Sequence, residues 1–233
     1  MRRFIIVLVL LLGVVTGAAT EAQQPAPAGK GSAPRFSSEI AAFLKEDEAN
    51  PPPKHAILFI GSSIFRQWKN LKEQMAPLPV FNRAFGGSRT ADLLYYMDKV
   101  VFPYEPKVIV YYCGSNDVNA GIQPGEIYGN FRRFVEQVHA KLPLTRVYFT
   151  SINRAPEKIE RWDRVDAANA LIKELCASDK LLGFIDVNPV LFDKEGSPRM
   201  ELYQPDKLHF LEPAYAELTA IIRPAIENAW KDK

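Results

Sequence analysis

Residues 56–63 read AILFIGSS, which is five consecutive apolar residues followed by a glycine and two serines. A short apolar run without alternation is typical of a strand that is buried on both faces of a parallel sheet. Similar runs recur at residues 79–81, 107–112, 146–150 and 182–187. The sequence therefore predicts a sheet of five strands, and the small polar residues after the first strand are the first candidates for a site.

Amphipathic stretches separate these runs. The clearest follows Pro124 and places apolar residues on one helical face, namely Ile127, Phe131, Phe134, Val135, Val138 and Leu142. Further helices are predicted over residues 163–175 and after Pro213. Another is predicted to begin at Ser37, acting as the N-cap, and to be stopped by the prolines at 51–53. Alternating strands and helices imply right-handed crossovers and a parallel sheet between two helix layers. The predicted fold class is three-layer α/β/α.

Composition limits the classes of function. The chain has 233 residues, 47% of them hydrophobic and 24% charged, and its formal net charge is +2. This is ordinary globular composition, and without clustered basic residues nucleic acid is not expected as a partner. The two cysteines, Cys113 and Cys176, cannot form a disulfide framework or a cysteine zinc cluster, and we expect them to be separately buried thiols.

The N-terminal residues have the pattern of a targeting segment. A basic start is followed by the apolar stretch 4–15 and then by small residues, which describes a secretory signal peptide over residues 1–22. The apolar stretch is short for a membrane span, although an uncleaved anchor is the alternative. Residues 23–35 are rich in proline, glycine and alanine and are predicted to be a flexible linker. We expect an exported protein, periplasmic or secreted, whose single domain covers residues 36–233 and does not stay inserted in the membrane.

Small and polar residues follow the predicted strands. They are Gly61-Ser62-Ser63, the segment 82–88 (NRAFGGS) and the segment 113–117 (CGSND), and Asp206 and His209 stand near the end of the chain. In parallel sheets, ligands bind at the carboxyl ends of the strands. Each motif alone also fits a cap or a turn. Together they supply a hydroxyl, a base with an orienting acid, and oxyanion donors, which are the parts of nucleophilic acyl transfer.

Four segments resemble the four conserved blocks of the SGNH (GDSL) hydrolase superfamily, and the likeness is greatest to the branch that resembles the platelet-activating-factor acetylhydrolase catalytic subunit. They are ILFIGSS at 57–63, NRAFGG at 82–87, GSND at 114–117 and DKLH at 206–209. Their order and spacing agree from residue 56 to the last helix. The family's Gly-Asp-Ser reads Gly-Ser-Ser here, so Ser62 replaces a carboxylate and adds a second serine beside the expected nucleophile.

The resemblance implies a flavodoxin-like SGNH-hydrolase fold and a set of roles. Ser63 is expected to be the nucleophile, His209 the base and Asp206 the residue that orients it. The expected oxyanion hole comprises the backbone N–H groups of Ser63 and Gly87 and the side-chain amide of Asn116. The resemblance implies no metal ion and no cofactor.

The residues themselves support the same roles and leave alternatives. An α/β-hydrolase is less favoured because its Gly-x-Ser-x-Gly elbow is missing. A metal-dependent hydrolase using Asp206 and His209 is also disfavoured, since one histidine beside one carboxylate is a poor metal site. A non-catalytic exported binding protein on the same fold remains a different class of hypothesis. His55 precedes the first strand, and His139 lies within a predicted helix, so neither suits the site.

The expected substrates are small-molecule, carbohydrate or lipid esters. We rank hydrolysis of acetyl and other short-chain esters first, since no long lid insertion is visible, and lysophospholipase or thioesterase activity second. Arg89 and Arg154 could meet an anionic leaving group. The aromatic side chains near the predicted site that could line an acyl pocket are Phe65, Trp68, Phe85, Tyr203 and Phe210. Of these, Phe65 and Trp68 are expected to lie in the core.

Overall fold

The structure is a computed structural model that describes residues 34–231. The predicted signal peptide (1–22) and all but the last two residues of the predicted linker (23–35) lie outside the described residues. Between residues 34 and 231, no helix is both long and apolar enough to cross a membrane.

One sheet of parallel strands forms the centre of the domain. The strands are β1 (Ile57–Gly61), β2 (Val80–Asn82), β3 (Val108–Tyr112), β4 (Arg146–Thr150) and β5 (Leu182–Ile185). All pairs are parallel, in the order β2-β1-β3-β4-β5, with Ile57 in register with Val80 on one side and Val108 on the other. This is the flavodoxin-like order. The predicted three-layer, five-stranded fold is confirmed. Relative to the prediction, β1 and β2 lie one residue later, β3 is one residue shorter and β5 is two residues shorter.

Helices cover both faces of this sheet. In the described part of the chain the α-helices are α1 (Ser37–Ala49), α2 (Ser63–Arg66), α3 (Leu71–Met75), α4 (Thr90–Tyr95), α5 (Met97–Val100), α6 (Ser115–Asn119), α7 (Pro124–Lys141), α8 (Trp162–Ala177) and α9 (Glu212–Lys231). The predicted capping role of Ser37 is wrong. Ser37 is already helical, and the residue before it, Phe36, has the left-handed φ of 67° and makes no side-chain cap.

The strands separate two apolar cores. Leu58 and Ile60 of β1 pack into a cluster with α1, α4, α5, α6, α7 and α8, while Ile57 and Phe59 pack into a second cluster with α2, α3 and α9. Successive side chains of a strand point to opposite faces, so a strand between two helix layers needs apolar residues at every position. This requirement explains the unbroken apolar run that begins at residue 56.

The end of β1 is the point from which the site is built. In the sheet, β2 lies on one side of β1 and β3 lies on the other, so the strand order reverses at β1. In doubly wound sheets such a switch point leaves a crevice at the carboxyl ends of the strands. Gly61 closes β1 with a φ of +152°, and a Cβ there would lie 1.9 Å from the carbonyl oxygen of Tyr112. Only glycine lets the two strand ends approach this closely.

Candidate active site

Ser63 lies at the crevice, directly after β1. It is the first residue of α2, and its side chain is half-buried, unlike that of the fully buried Ser62. The backbone N–H of Ser62 donates to the Tyr112 carbonyl (3.0 Å), which continues the β1–β3 pairing past the end of the strand. The Ser63 Oγ lies 2.9 Å from Nε2 of His209, which is 146 residues later in the chain.

Asp206 holds the other side of the His209 ring. Asp206 Oδ2 lies 2.5 Å from His209 Nδ1, and Asp206 Oδ1 accepts the backbone N–H groups of Leu208 and His209, each at 3.0 Å. A carboxylate at Nδ1 requires a proton there, so Nε2 is the acceptor for the Ser63 hydroxyl. Burial alone would raise the pKa of Asp206, but these hydrogen bonds outweigh it and lower the pKa to about 2.

Gly87 lies in a turn that is bonded to the end of β1. The Phe85 N–H (3.0 Å) and the Ser88 hydroxyl (3.1 Å) both donate to the Gly61 carbonyl. Gly87 has a φ of +80°, which favours glycine, and its N–H has no hydrogen-bond partner among the described residues. A Cβ at Gly86 would lie 3.9 Å from the Ser63 Cβ, so this turn borders the nucleophile candidate.

Asn116 approaches from the end of β3. It lies in the first turn of α6, half-buried, and its Nδ2 donates to the Ser88 carbonyl at 3.0 Å. One amide hydrogen is used in this way, which leaves the second for a ligand. The next residue, Asp117, ties α6 to α4 by accepting the hydroxyl (2.5 Å) and the N–H (3.1 Å) of Thr90. Burial raises the pKa of Asp117, although the bonds from Thr90 oppose this change.

The structure thus brings Ser63, His209 and Asp206 into one hydrogen-bonded chain and places Gly87 and Asn116 on the elements that follow β2 and β3. The N–H of Ser63, at the start of α2, also has no partner within the described part of the chain. No group of three His, Cys, Asp or Glu side chains that could hold a metal ion is found within residues 34–231.

Other sequence expectations meet mixed outcomes. The five aromatic residues near the site are all buried in the core, from Phe65 at 0% exposure to Tyr203 at 4%. The Arg154 guanidinium is paired with both carboxylate oxygens of Asp166, each at 2.7 Å, so it is not free for a leaving group. Cys113 and Cys176 are buried free thiols, as predicted, and burial raises the pKa of Cys176 to about 12.

Two contributors to the site escaped sequence reasoning. The Ser88 carbonyl orients the Asn116 amide, and Arg35, the last residue of the predicted linker, donates to the Gly87 carbonyl. Both contacts end on backbone carbonyl groups, which every residue carries and which leave no signal in the residue types. The only available hint was the basic side chain at the boundary between the linker and the domain.

The fold and this geometry define a class of protein. It is a three-layer α/β protein in which a serine, a histidine and an aspartate are hydrogen-bonded in series at the carboxyl edge of the sheet, as in serine hydrolases. The model of the GDSL-like lipase/acylhydrolase family matches residues 53–216, and the chain belongs to this family. This confirms the resemblance drawn from the four sequence blocks. The protein is therefore a hydrolase of carboxylic esters.

Solved structures agree with this assignment at the level of the fold. A Streptococcus pneumoniae protein provisionally described as a platelet activating factor is 22% identical, with a TM-score of 0.72 over 81% of this chain and 92% of that one. A lipase/acylhydrolase from Enterococcus faecalis is 23% identical (TM-score 0.64; 76% and 97% covered). A carbohydrate esterase family 3 protein from Talaromyces cellulolyticus is 14% identical (TM-score 0.63; 76% and 98%). No curated protein sequence matches the chain.

Proposed function

We propose that this protein is a serine esterase that cleaves short-chain, acetyl-type carboxylic esters through an acyl-enzyme on Ser63. The observation that carries the proposal is the continuous hydrogen-bonded path from the Ser63 Oγ through the His209 ring to Asp206, with distances of 2.9 and 2.5 Å. A hydroxyl, a base and an orienting carboxylate in this order are the parts that activate a serine nucleophile.

Acylation begins at the Ser63 hydroxyl. His209 Nε2 takes the hydroxyl proton while Oγ attacks the carbonyl carbon of the ester, which becomes tetrahedral. Asp206 remains ionised, since its pKa is about 2, and stabilises the imidazolium that forms. His209 then returns the proton to the departing alcohol oxygen, the C–O bond breaks, and the acyl group stays on Ser63.

The developing oxyanion needs hydrogen-bond donors. Three donors are proposed to supply them: the N–H groups of Ser63 and Gly87, which have no partner among residues 34–231, and the second amide hydrogen of Asn116. The start of α2 fixes the Ser63 N–H, the turn after β2 carries the Gly87 N–H, and the bond to the Ser88 carbonyl orients the Asn116 amide, so the charge is stabilised with little reorganisation. Deacylation follows the same steps with water as the nucleophile. His209 Nε2 accepts a proton from the water and then returns it to the Ser63 Oγ as the acyl C–O bond breaks.

The surroundings of Ser63 favour substrates with a small acyl group. The aromatic side chains that could have formed a long apolar channel are packed into the core instead. The backbone at Gly86 lies close to Ser63, and a Cβ at residue 86 would also lie 3.2 Å from Nη1 of Arg66. A site bordered so closely by backbone favours an acetyl group over a long acyl chain. Solved proteins with the same fold include an acetyl esterase and an acetyl-xylooligosaccharide esterase, which is consistent with acetyl-type chemistry.

The test is hydrolysis of p-nitrophenyl esters from acetate to palmitate by the wild type, Ser63→Ala and Ser62→Ala. We expect the highest kcat/KM on acetate, a loss of about 10⁴-fold or more in Ser63→Ala, and little loss in Ser62→Ala. Ser62 is the matched control, because it is the adjacent serine and its side chain is buried. Loss of activity in Ser62→Ala alone would overturn the assignment of the nucleophile. A rate that rises toward palmitate would instead favour lipid acyl hydrolysis.

We also propose that the protein is exported, since residues 1–22 have the composition of a signal peptide. Expression of the full chain in a bacterial host, followed by cell fractionation and N-terminal sequencing, tests this. A mature N-terminus near residue 23 in the periplasm or medium is expected, and an intact Met1 in the cytoplasm would contradict it.

A further inference from the structure

Arg35 contacts the loop that carries Gly87. Its Nη2 donates to the Gly87 carbonyl at 2.8 Å, and its Nη1 lies 2.9 Å from Oδ2 of Asp92. The same Asp92 oxygen accepts the backbone N–H of Arg89 at 2.8 Å. The planar guanidinium therefore joins both ends of the segment 87–92 through two of its nitrogens, a rigid fork of donors that a lysine ammonium does not have.

Neighbouring contacts hold Arg35 in this position. The Tyr96 hydroxyl donates to the Arg35 carbonyl at 2.5 Å, and the Phe36 ring packs edge-on against Phe85 with centroids 5.1 Å apart. Phe36 has a left-handed φ of 67°, which is costly for a residue with a bulky side chain and persists only where several contacts hold it. Residues 35 and 36, which we call the arm, are thus fixed to the loop rather than lying loosely against it.

Among the described residues the Gly87 backbone makes no hydrogen bond other than the one from Arg35, although its neighbours Phe85 and Ser88 are bonded to the Gly61 carbonyl. A Cβ at this position would meet no atom of the described residues within 4 Å, so none of them packs over the Cα of Gly87. Its N–H is unpartnered in the described part of the chain, and the nearby turn bond from the Ser88 N–H to the Phe85 carbonyl is long, at 3.4 Å. Arg35 therefore supplies the side-chain contact to the Gly87 carbonyl, which belongs to the peptide group that follows the Gly87 Cα, whereas the Gly87 N–H belongs to the peptide group joined to it at that Cα.

We propose that Arg35 is a positioning residue for the oxyanion donor at Gly87, so that the arm is a working part of the active site. The proposal rests on the proposed esterase function. Oxyanion donors act mainly in the transition state, and loosening one of them lowers kcat while leaving KM nearly unchanged. Loss of a whole donor costs about 10²–10³ in kcat, so a misdirected donor should cost less, on the order of 10-fold.

The experiment compares Arg35→Gln, Arg35→Lys and Arg132→Gln in the full chain. Arg132 is the matched control, because it is an exposed arginine in a surface ion pair with Glu136 on α7. We expect about 10-fold lower kcat and unchanged KM in Arg35→Gln, a smaller loss in Arg35→Lys, and no change in Arg132→Gln. Because half of the Arg35 side chain is exposed, the melting temperature should hardly change. Rates are normalised to active sites counted with a fluorophosphonate.

Hydrogen exchange provides a readout that does not depend on ester hydrolysis. Amides in the peptide spanning residues 85–92 should exchange faster in Arg35→Gln than in the wild type, and those in α7 should not. An unchanged kcat in Arg35→Gln would overturn the proposal, and so would a lower kcat with unchanged exchange, because Arg35 would then not act through the loop. An inactive wild type would overturn the proposed function instead, while exchange would still show whether Arg35 holds the loop.

Discussion

The two halves of the candidate site are built in different ways. Ser63, Gly87 and Asn116 each follow a strand of the sheet. Hydrogen bonds between the strand ends hold the segments that carry them, and Arg35 adds a bond to the Gly87 carbonyl. Asp206 and His209 follow no strand. They lie in a loop closed by its own hydrogen bonds, since the Gln204 N–H donates to the His209 carbonyl at 2.7 Å.

The two halves of the site also differ in how deeply they are buried. Gly61 and Tyr112, on which the strand-end half rests, are buried, whereas the Asp206 side chain is 47% exposed and that of His209 is 20% exposed. The halves meet where the His209 ring contacts Ser63 and where the Gln204 side chain donates to Gln67 at 3.0 Å. This difference suggests that the strand-end half contributes mostly to stability and rigid donors, and the loop half mostly to proton transfer.

Replacing His209 tests the loop half and should have the largest effect. We expect His209→Ala to lower kcat by about 10⁴–10⁶, because Ser63 would lose its proposed base, while the melting temperature stays within a few degrees of the wild type. His55→Asn is the control, an exposed histidine at the opposite end of β1. A His209→Ala protein that unfolds would show that the loop half also contributes to the core.

Replacing Gly61 tests the strand-end half. We expect Gly61→Ala to lower the free energy of unfolding by about 3 kcal/mol or more, since its Cβ would collide with the Tyr112 carbonyl at a φ that alanine disfavours. Gly129→Ala is the control, because Gly129 lies in α7 with open space around it and alanine should stabilise that helix by up to about 1 kcal/mol. Urea unfolding measures both variants. Equal stability of the two would contradict the rigid-edge interpretation.

The same contrast explains what could be predicted from the sequence. Strands buried on both faces need unbroken apolar runs, so the sheet was predictable from the residues near 57 and 108. A strand end then places its next residues at the site, which made Ser63 and Asn116 candidates. Asp206 and His209 follow no strand, and only their spacing and the family resemblance made them candidates.

The rest of the site could not be predicted for a physical reason. The Ser88 and Gly87 carbonyls accept the Asn116 amide and Arg35, and backbone carbonyls look alike at every position of a sequence. The start of α1 could not be predicted either, because serine is a common capping residue and Ser37 therefore looked like the N-cap. The contact of Phe36 with Phe85 is tertiary, and it accompanies the left-handed backbone that precedes the helix.

Acid titration gives the smallest expected effect and separates Asp206 from the rest of the loop half. Its pKa is lowered from 3.8 to about 2 in the folded protein, so the ionised carboxylate stabilises the fold above about pH 4, and this contribution is lost as the pH falls through about 2. We expect the melting temperature of Asp206→Asn to lie slightly below that of the wild type at pH 5 and to converge with it near pH 2. The difference should be small, because an exposed carboxylate is well screened by water.

In the His209→Ala background one hydrogen bond to Asp206 is missing, so the pH at which the two melting temperatures converge should be higher. If His209→Ala leaves that pH unchanged, the backbone N–H groups of Leu208 and His209 alone lower the pKa of Asp206.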